Sequence, residues 1–158
     1  MHIALYRPEI PPNTGNIARL AVCTDTPLHI VGEPSFSMDE KAVRRAGLDY
    51  WAQLDLKRHA DYEEFYASLA SIGVPLVAFS RFATDSMWDF TFSGQEALLF
   101  GQETAGLPQE ITEHVRKHGR LLRIPVGEKC RSLNLSNSVA IACYEVFRQN
   151  RRSFSWAL

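Results

Sequence analysis

Short apolar runs alternate along this chain with longer segments whose apolar residues recur at helical spacing, and this alternation limits the possible folds most strongly. Strands alternating with helices are typical of an α/β fold with a mostly parallel sheet. The predicted strands are His2–Tyr6, Leu28–Val31, Leu76–Ser80, Glu96–Phe100 and Leu121–Ile124. The predicted helices are Gly15–Thr24, Met38–Ala46, Asp61–Ser71, Gln109–His118 and Asn134–Gln149.

The chain has the length of one such domain and is short for two. Its 158 residues, of which 46% are hydrophobic, supply a single core of ordinary size. No linker rich in Gly, Ser or Pro separates the predicted elements, so we expect residues 1–158 to form one domain.

Cysteine usage and hydropathy predict a cytoplasmic protein. The three cysteines, Cys23, Cys130 and Cys143, cannot pair completely, and none lies in a CxxC motif, which favours a reducing compartment. The first residues do not resemble a secretory leader. The longest apolar stretches, such as Val139–Cys143, are far shorter than the roughly 20 residues of a membrane span. We therefore expect no membrane segment.

Basic residues are concentrated near the C-terminal end. Between Arg116 and Arg152 there are nine basic and two acidic residues, a net charge of +7, whereas the remaining eight basic and sixteen acidic residues give -8. A cationic surface of this kind binds polyanions, because neutralised phosphates release their counterions. The solvated faces of ordinary helices would give the same pattern, so charge alone leaves nucleic-acid binding open.

Three irregular segments follow predicted strands, namely Arg7–Asn16, Gly101–Pro108 and Pro125–Ser132. In open α/β sheets, ligands bind beyond the carboxyl ends of the strands, so these segments are expected to meet at one site. Their prolines and glycines fit a close approach of backbone to ligand, and they fit simple tight turns equally well.

Several common sites are excluded or disfavoured. The chain contains no Gly-x-Gly, which argues against a dinucleotide fold, and no Gly-x-Ser-x-Gly elbow. Gly101–Gly106 has P-loop spacing, but Leu107-Pro108 stands where a phosphate-binding Lys-Ser/Thr is required. His114 and His118 are spaced to share a metal on a helix, yet no third ligand accompanies them.

Three polar motifs, in order along the chain, carry a specific resemblance. They are Asn13–Arg19 (NTGNIAR), Leu99–Pro108 (LFGQETAGLP), and Ile124-Pro125 followed by Arg131–Asn137 (RSLNLSN). Together they resemble the SPOUT class of RNA methyltransferases, specifically the small TrmL/YibK-like tRNA 2′-O-methyltransferases. Segments Pro8–Pro12 and Arg44–Tyr50 extend the likeness over essentially the whole chain.

The resemblance implies a particular α/β architecture, the SPOUT fold. In it, a parallel-sheet sandwich ends in a deep trefoil knot, about residues 94–148 here, which forms the S-adenosylmethionine pocket. Most proteins are unknotted, so the knot is implied by the resemblance alone. The resemblance also implies a homodimer with its site near the subunit interface.

The resemblance further implies residue roles. The expected cofactor-binding residues are Phe79, Gly101, Ile124, Ser132, Leu133 and Asn134. The expected catalytic residues are Arg19, Asn16 and Glu103, with Glu103 alternatively holding Arg19. A guanidinium remains protonated in proteins and is a poor base, so we expect Arg19 to position the hydroxyl rather than to remove its proton. Methyl transfer to give S-adenosyl-L-homocysteine is expected to need no metal.

The implied substrate is the ribose of the wobble nucleotide, a cytidine or modified uridine, in a tRNA anticodon stem-loop, with leucine tRNAs suggested. The expected RNA-binding residues are Arg44, Arg45, Arg131, Arg148, Arg151 and Arg152. Alternatives are 2′-O-methylation of another tRNA or rRNA ribose, a catalytically silent RNA-binding dimer, and a small-ligand binding module.

Overall fold

In the computed structural model, which describes residues 1–38 and 51–154, seven strands form a single sheet. The strands are β1 (His2–Tyr6), β2 (Leu28–Val31), β3 (Leu56–His59), β4 (Leu76–Phe79), β5 (Asp85–Ser86), β6 (Ala97–Phe100) and β7 (Arg120–Arg123). Their order across the sheet is β3-β2-β1-β6-β4-β7-β5, and all six pairings are parallel. The carboxyl ends of all strands therefore share one edge, which confirms the predicted α/β class.

Helices cover both faces of the sheet. They are α1 (Pro11–Cys23), α2 (Tyr62–Ser71), α3 (Gln109–His118) and α4 (Leu135–Asn150), with short 3₁₀ turns at Trp51–Gln53, Met87–Asp89 and Arg151–Ser153. Side chains alternate along β1, so Ile3 packs in one core with α1 and α4, while Ala4 packs in the other with α2 and α3. The result is a three-layer sandwich.

The predicted apolar strands are all present, whereas two polar ones were missed. β3 pairs only with β2, its burial is partial, and its sequence Leu-Lys-Arg-His lacks the apolar run of an inner strand. β5 has two residues and pairs only with β7. Both are edge strands, which can be polar because they do not need to be buried on both faces.

The start of α1 corrects the sequence analysis. Residues 11–14 were predicted to be irregular because of their prolines, but the helix begins at Pro11, with prolines in its first two positions. Proline is tolerated in a first helical turn because those backbone N–H groups have no partner within the helix. The motif Asn13–Arg19 is therefore helical, not a loop.

Residues 39–50 lie outside the described ranges. They include residues 39–46 of the predicted helix Met38–Ala46 and the whole segment Arg44–Tyr50. Within residues 1–38 and 51–154, no helix has both the length and the apolar composition to cross a membrane.

Candidate active site

A cavity of about 410 Å³ opens at the carboxyl ends of β4, β6 and β7. Its lining includes eight residues that the resemblance implies for the site: Phe79, Gly101, Glu103, Ile124, Arg131, Ser132, Leu133 and Asn134. These residues come from distant parts of the chain, and the parallel sheet brings them to one edge. Ile10 and Asn13 of the first segment also line the cavity, so the expected convergence of all three segments is confirmed.

Two phenylalanines form one wall of the cavity. Phe79 and Phe100 are register partners on the neighbouring strands β4 and β6. Their rings stack with centroids 4.9 Å apart and planes only 4° from parallel. Both residues are largely buried, so they provide a flat apolar surface of fixed orientation.

Gly101 is required by the protein backbone itself. A Cβ atom at this position would lie 2.2 Å from the carbonyl carbon of Gly106 and 2.4 Å from the amide nitrogen of Leu107. The loop closes there through two hydrogen bonds between the backbones of Gln102 and Gly106, both 3.0 Å. A side chain at Gly101 would therefore clash with the neighbouring backbone of its own loop.

Glu103 ties this loop to the start of α1. Its carboxylate accepts hydrogen bonds from the Glu9 amide at 2.8 Å, the Ile10 amide at 3.2 Å and the Asn13 Nδ2 at 3.0 Å. Ile10 is the N-cap of α1, and a carboxylate at a helix N-terminus is stabilised by the helix dipole. The contacts of Glu103 thus indicate a residue that positions backbone.

A reciprocal contact reinforces this tie. The Glu9 carboxylate accepts hydrogen bonds from the amide and the hydroxyl of Thr104, each at 2.9 Å. Glu9, in the segment before α1, therefore accepts hydrogen bonds from the Gly101–Leu107 loop, and Glu103, in that loop, accepts hydrogen bonds from the segment before α1. Such charge-assisted bonds are stronger than neutral ones, so the two loops are held as one unit.

Asn134 connects the third segment to the same unit. Its Nδ2 donates to Oδ1 of Asn13 at 3.0 Å, and its own Oδ1 accepts from the Ser136 amide at 2.9 Å. Asn134 is therefore the N-cap of α4 as well as a cavity residue. Asn13, at 5% exposure, joins Asn134 to Glu103, a role that sequence analysis did not assign to it.

Asn16 and Arg19 are not among the described residues that line the cavity. Both are exposed residues of α1. They are three positions apart in a helix, so they share one helical face. Within one chain, the fold does not bring these two expected catalytic residues to the cavity.

The cavity is bordered by cationic residues, some of which were not predicted. Arg81 and Arg123 line it together with Arg131, and Glu103 is the one acidic residue among the described lining residues. Arg81 and Arg123 follow or end strands at the same sheet edge, so the rule that ligands bind beyond the carboxyl ends would have identified them.

Three other arginines expected to bind RNA are not among the described cavity residues, namely Arg148, Arg151 and Arg152. Arg148 forms a bidentate contact with Glu145, with both N···O distances at 2.8 Å. Arg151 and Arg152 are exposed in the 3₁₀ turn after α4. Arg44 and Arg45 belong to the stretch outside the described residues.

A second cavity, of about 490 Å³, contains His114. The Tyr62 hydroxyl lies 2.9 Å from Nδ1 of His114, and burial lowers the pKa of His114, which favours the neutral imidazole as acceptor. In the part of the chain that the structure describes, no group of three or more His, Cys, Asp or Glu side chains is arranged to hold a metal ion.

Comparisons with known proteins match almost the whole chain. The SpoU rRNA methylase family matches residues 1–144. A tRNA (cytidine(34)-2'-O)-methyltransferase of Polaromonas sp. is 43% identical over 149 residues, which cover 94% of this chain and 90% of the relative. A solved structure described as "Structural insights into the 2-OH methylation of C/U34 on tRNA" has a TM-score of 0.86 at 39% identity and covers 96% of both chains. An AdoMet-bound rRNA methyltransferase from Sinorhizobium meliloti has a TM-score of 0.80 at 30% identity, over 93% of this chain and 55% of that chain.

Proposed function

Because the chain belongs to the SpoU rRNA methylase family, we propose that it transfers a methyl group from S-adenosylmethionine to a tRNA ribose 2′-hydroxyl. The family membership confirms the resemblance found in the three motifs. The proposed target is the wobble nucleotide, cytidine or modified uridine 34, following the activity for which the Polaromonas relative is named. The observation that carries the proposal is the cavity, which collects eight of the implied residues at one sheet edge.

The residues of the cavity fit S-adenosylmethionine. A volume of about 410 Å³ lies within the range of small-molecule sites, roughly 300–1,000 Å³. The stacked Phe79 and Phe100 rings offer an apolar wall, and the Ser132 hydroxyl and the Gly101–Leu107 backbone offer hydrogen-bonding groups. The residues proposed to hold the cofactor are Phe79, Gly101, Ile124, Ser132, Leu133 and Asn134. The AdoMet-bound Sinorhizobium relative supports S-adenosylmethionine as the ligand.

The main task of the protein in this reaction is to align the 2′-hydroxyl with the methyl group. Bound S-adenosylmethionine supplies a methyl group on a sulfonium, so the 2′-oxygen forms the new C–O bond while the C–S bond breaks and a neutral thioether leaves. The chain has to orient the hydroxyl toward the methyl carbon, and the hydroxyl proton passes to water as the bond forms. Arg19 suits the orienting role, because a guanidinium stays charged and stabilises negative charge developing on oxygen.

We infer that a second subunit completes the site. Arg19 and Asn16 do not line the cavity of their own chain, as far as the described residues go. α4 packs against α1, and its Ile141 and Tyr144 are 41% and 56% exposed, which is typical of residues in subunit contacts. A homodimer formed through α1 and α4 would combine the cavity of one subunit with Arg19 of the other.

The proposed RNA partner is the tRNA anticodon stem-loop, with leucine tRNAs as the predicted isoacceptors. Arg131 at the cavity and the exposed Arg151 and Arg152 support binding to a phosphate backbone. Arg148 remains a candidate despite its contact with Glu145, because it is exposed. Since tRNA is modified in the cytoplasm, the cytoplasm is the proposed location.

The trefoil knot and the single domain also remain proposals. β7 lies on the far side of β4 from β6, yet the following helix α4 contacts β6 and α1. The chain thus returns across the sheet after β7, which supports a knotted path through the loops at the carboxyl edge. One sheet joining strands from His2 to Arg123 supports a single domain.

The test of the function is a map of ribose methylation. Purified protein is incubated with labelled S-adenosylmethionine and tRNA from a strain lacking the gene, and nuclease fragments are analysed by mass spectrometry. We expect one methyl group on the ribose of nucleotide 34. A methyl group on another ribose, or none, would contradict the proposal.

The role of Arg19 is tested by mixing two inactive variants. Arg19→Ala should bind S-adenosyl-L-homocysteine normally by calorimetry but fail to methylate, and Ser132→Trp should fail to bind it. After subunit exchange in an equal mixture, half of the dimers contain one subunit of each variant. If Arg19 acts across the dimer, each of these mixed dimers has one intact site of two, so the mixture regains about a quarter of wild-type activity. Activity that stays at the level of the separate variants would refute a role across the interface.

A further inference from the structure

An exposed aromatic ring borders the proposed methyl-transfer cavity. Phe82 follows β4 and lines the cavity together with Ser80 and Arg81. The residue is 69% exposed, although its neighbour Ala83 is buried. Phe82 is therefore not part of the hydrophobic core. A large apolar side chain that is exposed to solvent at a cavity entrance is typical of a binding surface.

Hydrogen bonds order the segment that carries Phe82. The Phe82 amide donates to Oγ of Ser80 at 3.2 Å, and the Ala83 amide donates to the Ser80 carbonyl oxygen, also at 3.2 Å. Ala83 itself packs in the core between the sheet and α2 and α3. The ring is therefore presented by a fixed turn, so a planar ligand that binds to it immobilises little of the protein.

One arginine contacts the ring, and two others line the same cavity. The Arg81 guanidinium carbon lies 4.5 Å from the centroid of the Phe82 ring, a cation–π contact. Arg123 and Arg131 line the same cavity. The carboxylate of Glu103, by contrast, is engaged by two backbone amides and the Asn13 side chain. An anionic ligand is thus favoured at this entrance.

An aromatic face beside arginines is the surface that unpaired RNA bases recognise. Bases in single-stranded loops stack on aromatic side chains and guanidinium planes, while arginines neutralise the phosphates. The inner wall of the cavity has its own ring pair, Phe79 and Phe100, at 8% and 2% exposure. Phe82 differs from this pair because it is accessible from solvent, where RNA has to approach.

We propose that Phe82 is the stacking platform for the base of the nucleotide that is methylated, and that Arg81 braces the ring and contacts an adjacent phosphate. The proposal rests on the proposed function and adds a positioning residue to it. Stacking holds the unpaired base outside the cavity while its ribose enters. It is tolerant of base identity, which suits a site that accepts both cytidine and uridine.

The test compares Phe82→Ala, Phe82→Leu and Phe82→Trp with the matched control Trp88→Ala. Trp88 is 68% exposed in the turn Met87–Asp89 and is not a described cavity residue. Affinity is measured for an anticodon stem-loop that carries the fluorescent cytidine analogue pyrrolocytidine at the wobble position. The Ala and Leu variants should bind RNA roughly tenfold more weakly and lose the stacking-dependent quench, whereas Phe82→Trp and Trp88→Ala should behave as wild type.

Further readouts separate stacking from other roles. In Phe82→Ala, the KM for RNA should rise with the dissociation constant while kcat stays within about twofold, and S-adenosyl-L-homocysteine affinity should be unchanged. Its salt dependence should match wild type, whereas Arg81→Gln should reduce the slope of log affinity against log salt by about one.

Three outcomes would overturn the proposal. Phe82→Ala binding RNA as tightly as wild type would remove the ring from the RNA site. Weaker binding of S-adenosyl-L-homocysteine with unchanged RNA affinity would assign the ring to the cofactor, and an altered oligomeric state in light scattering would assign it to a subunit contact. Wild-type methylation of nucleotide 34 is measured first, so failure of the proposed function is recognised separately.

Discussion

Replacing Glu103 with glutamine tests whether this residue positions the backbone or handles a proton. The carboxylate accepts three hydrogen bonds, from Glu9 and Ile10 backbone amides and from the Asn13 side chain. An amide keeps one acceptor oxygen, so its NH₂ group would face the Glu9 amide, donor against donor. Loss of one charge-assisted bond costs about 1.5–3 kcal/mol, and loss of the charge at the α1 N-terminus adds a few tenths to about 1 kcal/mol.

We therefore expect Glu103→Gln to lower the free energy of unfolding by about 2–4 kcal/mol in urea titrations. Glu9→Gln is the matched control, because Glu9 makes the reciprocal contacts to Thr104. Both variants should bind S-adenosyl-L-homocysteine more weakly, with kcat at saturation within a few-fold of wild type. Full stability of Glu103→Gln with a hundredfold loss of kcat, not shared by Glu9→Gln, would show that Glu103 takes part in the chemistry.

Three other predictions follow from particular contacts. Gly101→Ala should weaken S-adenosyl-L-homocysteine binding at least tenfold in calorimetry, since its Cβ would lie 2.2 Å from the Gly106 carbonyl carbon, whereas Gly127→Ala, with nothing within 4 Å, should not. Burial lowers the pKa of His29 to about 3 in the folded chain, whereas the pKa of the same imidazole is about 6.5 when the chain is unfolded. As the pH falls below about 6.5, His29 is therefore protonated in the unfolded chain before it is protonated in the folded one. The free energy of unfolding should therefore drop by about 2 kcal/mol from pH 7 to pH 5 through this group, and an equally steep drop in His29→Leu would contradict this cause. Changing the Arg151–Arg152 pair to glutamine should reduce the salt slope of tRNA binding by about two, and an unaltered slope would show that this turn does not face RNA.

The sequence was most informative where a residue's environment follows from its neighbours in the chain. The inner strands have apolar cores, and they were predicted with their observed bounds for β1 and β2 and to within one residue for β4, β6 and β7. The edge strand β3 was missed because its half-exposed residues need not be apolar. Pro11 was assigned to a loop because proline breaks helices in their interior but is favoured at their start.

Most of the expected residues that line the cavity lie in motifs, whereas Phe79 lies outside them and was expected from the resemblance alone. Gly101 and Ser132 lie in motifs and were found, although the reason for Gly101, a clash with the neighbouring backbone, depends on a contact that only the fold creates. Phe82 lies in no motif, and its exposure and its contact with Arg81 are properties of the folded chain. Arg19 lies in a motif but does not line the cavity of its own chain within the described residues, and the motif gave no sign of this separation.

The hydrogen bonds around Glu103 connect the two halves of the proposed reaction. They join the Gly101–Leu107 loop to the first turn of α1. Arg19 lies six residues beyond Asn13 on that same helix, which is about 9 Å along its axis. An α-helix is stiff because its backbone is hydrogen-bonded internally. A displacement of its first turn is therefore passed on to the next turns. A shift of the Gly101–Leu107 loop would therefore move Arg19 as well, and in a dimer joined through α1 that movement would reach the other subunit's cavity. If Arg19 acts across the interface, loosening the Glu103 contact in one subunit should lower kcat in its partner by no more than a few-fold, and mixed dimers with one Glu103→Gln subunit provide the comparison.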